Sequence, residues 1–397
     1  MRASRIVGPA ILAVAAIGVI LLAAAADLPG ATYRRGDFFG FWAASRAVLA
    51  GASPYDVLWF ADLARGTEAV LSFGRSVYPP WTAIALVPFA LLPFPLAAAA
   101  WLALQLGAVV AVVLLFARRI GRPERPVFLA IVAASQPLWL LVVGGNITGL
   151  LTGTVGGSVL AAAAGRPFLA GAFFGVLALK PHPFLLLVVA ALLAASAPAR
   201  ARFVAGSLVS GGLLIGITLV LHPIWIGEWL ASASALQATS GSNATLWTVG
   251  RIARGALPVE LATLLAAVAV LLALAAWVRW YRAARPALWL AMAAALPISL
   301  AVAPHGWSYD QLVLVIPIAV ILRAIGLRRE SPRRRGTVIV ALVATIVPWA
   351  LYALAFRRGG EELSALTPLL VFAALWYLRP SGGRLEADPG RPAPILR

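Results

Sequence analysis

Residues 6–26, IVGPAILAVAAIGVILLAAAA, run for 21 positions without a charge. About 20 such residues cross the hydrocarbon core of a bilayer. Arg2 and Arg5 precede the run, which points to a retained signal-anchor with its N-terminus in the cytoplasm; a signal peptide is the alternative, though the run is long for one. The pattern recurs along the 397-residue chain: apolar runs separated by short arginine clusters. Hydrophobic residues make up 62% and charged residues 12%, where soluble domains carry roughly 25% charged residues. Mean hydropathy is +0.94. The fold class that follows is an all-α polytopic membrane protein.

Net charge is +18, from 32 Lys+Arg against 14 Asp+Glu. In a soluble protein that balance suggests nucleic acid. Here the arginines fall between apolar runs, as cytoplasmic loops do under the positive-inside rule, and no nucleic-acid module is present. The chain has no cysteine, which excludes disulfides, thiolate metal sites and a cysteine nucleophile.

Against that background one wet stretch stands out, Tyr33-Arg34-Arg35-Gly36-Asp37-Phe38-Phe39-Gly40-Phe41-Trp42, continuing to Tyr55-Asp56. It belongs to a first outer loop, residues 27–80. Within it Phe39–Ala50 and Val57–Val70 have helical periodicity with aromatics on one face, which predicts interfacial helices. The segment from Tyr78 to Phe116, broken at Pro88 and by Pro93-Phe94-Pro95, reads as one crossing with a partly inserted first half; a hairpin is the alternative. Later runs alternate about Gly144-Gly145-Asn146, Lys180-Pro181-His182-Pro183, a second outer loop over residues 222–258, and His305 to Asp310. The count is about 12 spans with both termini inside, in one transmembrane domain over residues 1–378. The tail, residues 379–397, reads as disordered and cytoplasmic. Several predicted spans are only 12–18 residues long, as tolerated where helices line a watered, protein-buried cavity.

On this topology the outer ends collect Asp37, Asp56, Tyr78, Gln136, Asn146, Lys180, His182, His222, Glu228, His305, Tyr309 and Asp310. Ionisable residues at membrane depth are costly and mark function by default. Lys180 either snorkels to a headgroup or serves a site. His182 and His222 each precede a proline and are either plain interface residues or site residues.

The order Gly36-Asp37-Phe38-Phe39-x-x-Trp42-Ala43-Ala44-Ser45, then Leu49 to Asp56 and Tyr78-Pro79-Pro80, resembles the first outer loop of family-87 glycosyltransferases. These are membrane enzymes of the glycosyltransferase-C class, similar to bacterial polyprenyl-phosphate-mannose-dependent α-mannosyltransferases. Gly144-Gly145-Asn146, the run from Gly175 to Pro183, and Ala303 to Asp310 fall where that family has later motifs. The resemblance implies a glycosyltransferase-C-like bundle of about 12 transmembrane helices. It also implies transfer of a sugar, with mannose the usual one, from a polyprenyl-phosphate donor to a lipid or glycan acceptor on the extracytoplasmic face. Arginine-over-lysine and alanine-rich usage suggests a bacterial inner membrane.

On that resemblance Asp37 matches the catalytic carboxylate. Arg34, Arg35 and Lys180 are candidates for the donor phosphate. Trp42, Tyr55, Asp56, Tyr78, Asn146, His182, His305, Trp307, Tyr309 and Asp310 are candidates for substrate binding. In one departure, His305 precedes Trp307, where the family often has Trp followed closely by His. The chemistry fits these residues: an inverting displacement from a lipid phosphate needs one base and no general acid, since phosphate leaves as a stable anion. No Asp-x-Asp motif or nucleotide-phosphate loop occurs, which argues against a nucleotide-sugar donor and a required metal; no cofactor is implied. Two other readings compete. A transporter or flippase of a lipid-linked sugar should show internal repeats and midplane charges, and the sequence offers neither. A non-catalytic scaffold needs no Asp-bearing loop flanked by arginines.

Overall fold

The computed structural model describes residues 32–67, 69, 74–239, 243–248, 250, 252, 257–327 and 330–378. The first predicted span, the arginines at 328 and 329 and the predicted tail lie outside the described residues. Every regular element among the described residues is helical. That follows from an apolar solvent, in which each backbone N–H and C=O must find its partner within the segment.

Five described helices are long and apolar enough to cross a membrane: Phe94–Ala117, Ala197–Leu221, Val259–Ala284, Ser308–Gly326 and Arg335–Arg358. A sixth is a broken pair, Arg125–Ala134 and Gln136–Gly144, bent by 44° at Ser135. Ser135 takes extended dihedrals, and Pro137 cannot supply the N–H that would carry the helix through. The other predicted spans within the described residues are apolar helices of 10–17 residues: Thr148–Ala163, Pro167–Leu179, His182–Ala194, Leu288–Val302 and Glu362–Leu378. The membrane architecture is thus borne out. A count of about 12 is reached only by including these short helices and the segment before residue 32. Of the segment from Tyr78 to Phe116, only the second half is long enough to span. Its first half forms two short helices, Pro80–Ala85 and Val87–Ala90.

Two compact units are distinguished by their internal contacts. One comprises the described residues up to Val109, Leu140–Leu150 and Leu214–Leu236. Its core is aromatic. Helix Asp37–Leu49 buries Phe38, Phe39, Phe41 and Trp42. Phe38 stacks on Trp101 at 5.4 Å between ring centroids, and Trp42 meets Phe94 edge-on at 5.2 Å. The aromatics that predicted an interfacial helix therefore turn into protein, where ring–ring contacts replace lipid. Trp101 is fully buried and donates its indole N–H to the Gly145 carbonyl at 2.7 Å. Helix Val57–Thr67 follows, starting at the predicted residue.

The other unit comprises Val110–Trp139, Leu151–Leu213 and the described residues from Gln237 on. Its axis is helix Leu288–Val302, in which every residue from Leu290 to Ala301 is buried. Helices Leu185–Ala194 and Leu366–Leu378 pack against it. The helix after it, Ser308–Gly326, is 78% buried across its most apolar stretch, against 17–39% for the other long helices. Those outer helices leave Leu271, Leu272 and Phe356 exposed, the face that lipid covers. The loop from Ala303 to Trp307 joins the two most buried helices of the unit, which fixes its position.

Helices Pro167–Gly175 and Ala197–Ser207 touch through glycine. A β-carbon on Gly171 would lie 1.9 Å from the Phe203 carbonyl oxygen, and one on Gly206 2.0 Å from that of Phe168. Such contact lets helix backbones meet where side chains would separate them. Ser210 adds a hydrogen bond across the pair, from Oγ to the Ala172 carbonyl at 2.7 Å.

Gly171→Ala is expected to lower the thermal midpoint of the detergent-solubilised protein, since overpacking of this kind costs about 1–3 kcal/mol or more. Gly107→Ala, in open space on helix Phe94–Ala117, should be neutral or stabilising by up to about 1 kcal/mol. Equal midpoints for the two variants would contradict the close seam.

Candidate active site

In the first unit the candidates gather at the start of helix Asp37–Leu49. Gly36 is its N-cap, and Asp37 stands in its first turn, where the partial positive charge of the helix end favours an anion. Gly36 is glycine because a β-carbon there would lie 2.3 Å from the Gly144 carbonyl oxygen. Gly145 has φ +65°, and a β-carbon on it would meet Tyr33 and Phe38 at 2.9 Å. The Gly144-Gly145-Asn146 turn is thus pressed onto the residues that introduce Asp37. Asn146 is buried; its side-chain oxygen accepts the Thr148 N–H at 3.1 Å, and its amide nitrogen has no hydrogen-bond partner. Arg34 is half-buried over the Phe94 ring, with its guanidinium carbon 5.6 Å from the centroid, while Arg35 is exposed.

Tyr55 and Tyr78 belong to the same unit. The Tyr55 hydroxyl donates to the Tyr78 carbonyl at 2.6 Å, and the Tyr78 ring meets Phe41 edge-on at 4.6 Å. Burial, reinforced by Glu228, holds the Tyr55 phenol well above its usual pKa, so it stays a donor. Ser53 donates to Glu228 at 2.5 Å, and Ser232 to the Ser76 carbonyl at 2.6 Å. Helix Trp225–Thr239 therefore braces the first loop.

Two candidates turn out to have structural work. Asp56 is exposed and caps helix Val57–Thr67, its carboxylate accepting the Leu58 and Trp59 N–H groups. Trp42 is 5% exposed among aromatics and donates to the Leu92 carbonyl at 3.3 Å, so its faces are taken.

In the second unit Lys180, the only lysine in the chain, ends a tightened turn, Val176–Leu179. Its ammonium lies 2.5 Å from the Asp310 carboxylate, and both side chains are 3% exposed. The same ammonium lies over the Tyr309 ring at 5.0 Å. The second Asp310 oxygen accepts the Trp307 N–H at 3.0 Å, closing the turn that opens the 3-10 helix Ser308–Leu314. Ser308 is held twice more: its N–H donates to Glu361 at 2.7 Å, and its hydroxyl accepts from Gln136 at 3.0 Å. These tethers leave Pro304 exposed and His305, Trp307 and Tyr309 half-buried.

His305 meets His182 at 6.0 Å and Trp307 at 5.6 Å, both edge-on. Burial, then the Lys180 charge, lowers His305 to about 4. Its imidazole is therefore neutral at pH 7 and offers one donor and one acceptor nitrogen. Glu361 is pushed above the usual carboxylate range, chiefly by burial. Sequence reading passed over Glu361. Its signal was Gly359-Gly360-Glu361-Glu362, an acidic turn between the last two helices.

The candidates thus form two constellations, Asp37 with Arg34, Tyr55, Tyr78 and Asn146 in one unit, and Lys180, His182, His305, Trp307, Tyr309 and Asp310 in the other. The family model of glycosyltransferase family 87 matches residues 77–304, more than half of the chain. The match takes in Tyr78, Asn146, Lys180 and His182; it starts beyond Asp37 and ends at Pro304. No curated protein and no solved structure matches the chain.

Removing one partner of a buried ion pair leaves an uncompensated charge and costs about 3–5 kcal/mol. Lys180→Met is accordingly expected to lower the thermal midpoint sharply. Adding Asp310→Leu to it should recover most of that loss, and thermal unfolding of the two variants in detergent measures both.

Proposed function

The chain belongs to glycosyltransferase family 87 and is a membrane glycosyltransferase, and on that premise we propose that it moves a sugar, with mannose the family's usual one, from a polyprenyl phosphate to a hydroxyl of a lipid or glycan acceptor. The observation that carries this reading is Asp37, a half-buried carboxylate on the first helical turn beside Arg34 and Arg35.

The proposed step is a single in-line displacement. Asp37 takes the acceptor hydroxyl proton as the acceptor oxygen attacks the anomeric carbon. The bond from that carbon to the phosphate oxygen breaks, its electron pair leaves on polyprenyl phosphate, and the configuration inverts. Arg34 and Arg35 hold the departing phosphate. Lys180 was the third phosphate candidate, but its charge is matched by Asp310. Its proposed role is therefore to fix the loop bearing His305 and Trp307. Within the first unit, Tyr78 and Asn146 are the further substrate contacts of this reading. The proposed site faces outward from a bacterial inner membrane, where the outer ends of the broken helices gather on the sequence topology.

Asp37→Asn is expected to lower transfer from radiolabelled polyprenyl-phosphate-mannose to a membrane lipid extract by about 10²–10⁴-fold, with donor binding retained. Wild-type activity in a folded Asp37→Asn protein would remove Asp37 from the reaction.

A further inference from the structure

Residues 243–248 of the second outer loop dock on the segment that carries His305. The Ala244 N–H donates to the Gly306 carbonyl at 2.7 Å, and the Trp247 indole N–H to the Val302 carbonyl at 2.9 Å. The Thr248 hydroxyl donates to the Asn243 carbonyl at 2.6 Å. These bonds anchor the backbone, and the side chains behave differently. Thr245 is fully buried and its hydroxyl has no hydrogen-bond partner; Asn243 is 6% exposed and its side-chain oxygen has none. Next to His305, the Nε2 atom of His182 is shut off from solvent and has none either. The Thr245 methyl lies 3.3 Å from where a β-carbon on Gly306 would stand, so Gly306 brings the two segments together.

A buried polar atom left without a partner costs about 1–3 kcal/mol, and native interiors satisfy the large majority of theirs. Three around one loop mark a place where a polar ligand completes the bonding. The kind of atom says which ligand. Asn243 Oδ1 only accepts, the threonine hydroxyl accepts or donates, and a neutral imidazole does one at each nitrogen. The nearby cation, Lys180, already faces Asp310. A neutral, acceptor-biased cluster suits hydroxyl groups and not phosphate. The half-buried ring of Trp307 next to it suits the flat apolar face of a pyranose.

We propose that Asn243, Thr245 and His182, grouped around the His305–Gly306 segment, form a hydroxyl-binding subsite for a carbohydrate ring. This deepens the transferase reading and rests on it. It assigns the second outer loop to sugar recognition, apart from the phosphate grip at Arg34 and Arg35.

The test compares wild type, Thr245→Val, Asn243→Leu and Thr245→Ser as full-length protein in nanodiscs. Three probes are titrated: polyprenyl phosphate, polyprenyl-phosphate-mannose and methyl α-D-mannopyranoside. Thr245→Val and Asn243→Leu are each expected to weaken a mannosyl probe roughly tenfold, the equivalent of one hydrogen bond. Polyprenyl phosphate should bind them as it binds wild type, and Thr245→Ser should bind the mannosyl probe as wild type does. Loss confined to the lipid-linked mannose identifies the ring as the donor's; loss for the free glycoside identifies an acceptor ring. The subsite is overturned if wild type binds neither mannosyl probe, or if the variants bind both unchanged. It is equally overturned if polyprenyl phosphate weakens in parallel, since the two positions would then act only through folding. Failure of wild type to bind polyprenyl phosphate sinks the donor assignment instead, and the glycoside still decides the subsite.

Discussion

A lysine and an aspartate 130 positions apart in sequence meet inside an apolar helical unit, 2.5 Å apart and almost closed to solvent. Neither charge is tolerable there alone, because burying an unpaired ion costs several kcal/mol even after the surroundings relax. Their pairing therefore constrains the geometry around them. It pins the turn after Leu179 to the start of the helix that follows Trp307. Asp310 also accepts the Trp307 N–H, so one carboxylate fixes both the remote contact and the local turn. With Glu361 and Gln136 holding Ser308, the loop between the two most buried helices has little freedom. Preorganised polar groups of this kind need little rearrangement when substrate arrives.

The two constellations are built from different materials. Around Asp37 the supporting structure is aromatic and glycine-bearing: rings stacked on Trp101, and a turn whose glycines allow backbone against backbone. Around His305 it is ionic and hydrogen-bonded. The difference matches the chemistry proposed for each. A base and an anion grip need charge at a helix end beside arginines. Recognition of a neutral ring of hydroxyls needs uncharged donors and acceptors held at fixed positions, and a neutral imidazole supplies both.

The order of helices and their breaks was legible in the sequence, because apolar runs, prolines and arginine clusters are local signals. Helices Asp37–Leu49 and Val57–Thr67 fall close to where periodicity put them. Asp56 directly before the second of these is a capping signature as readable as any, and its carboxylate accepts the Leu58 and Trp59 N–H groups. The partner of Lys180 was not legible. Periodicity says which face a residue occupies and nothing about which distant residue it meets, and the runs here are apolar on every side. Glu361 and Thr245 escaped for the same reason: their significance comes from what the fold places beside them. The ring contacts of Trp42 were not legible either, since an aromatic in a wet loop looks the same whether it faces a sugar or another ring.

At the glycine seam between Pro167–Gly175 and Ala197–Ser207, the distance between the helices is set by peptide groups in contact. Every single-base change to a glycine codon that yields another amino acid adds at least one carbon. The first substitution at Gly171 or Gly206 would therefore force the helices apart, and no graded series of variants leads away from the present spacing. This pair of helices keeps its separation, and with it the reach of the turn that delivers Lys180.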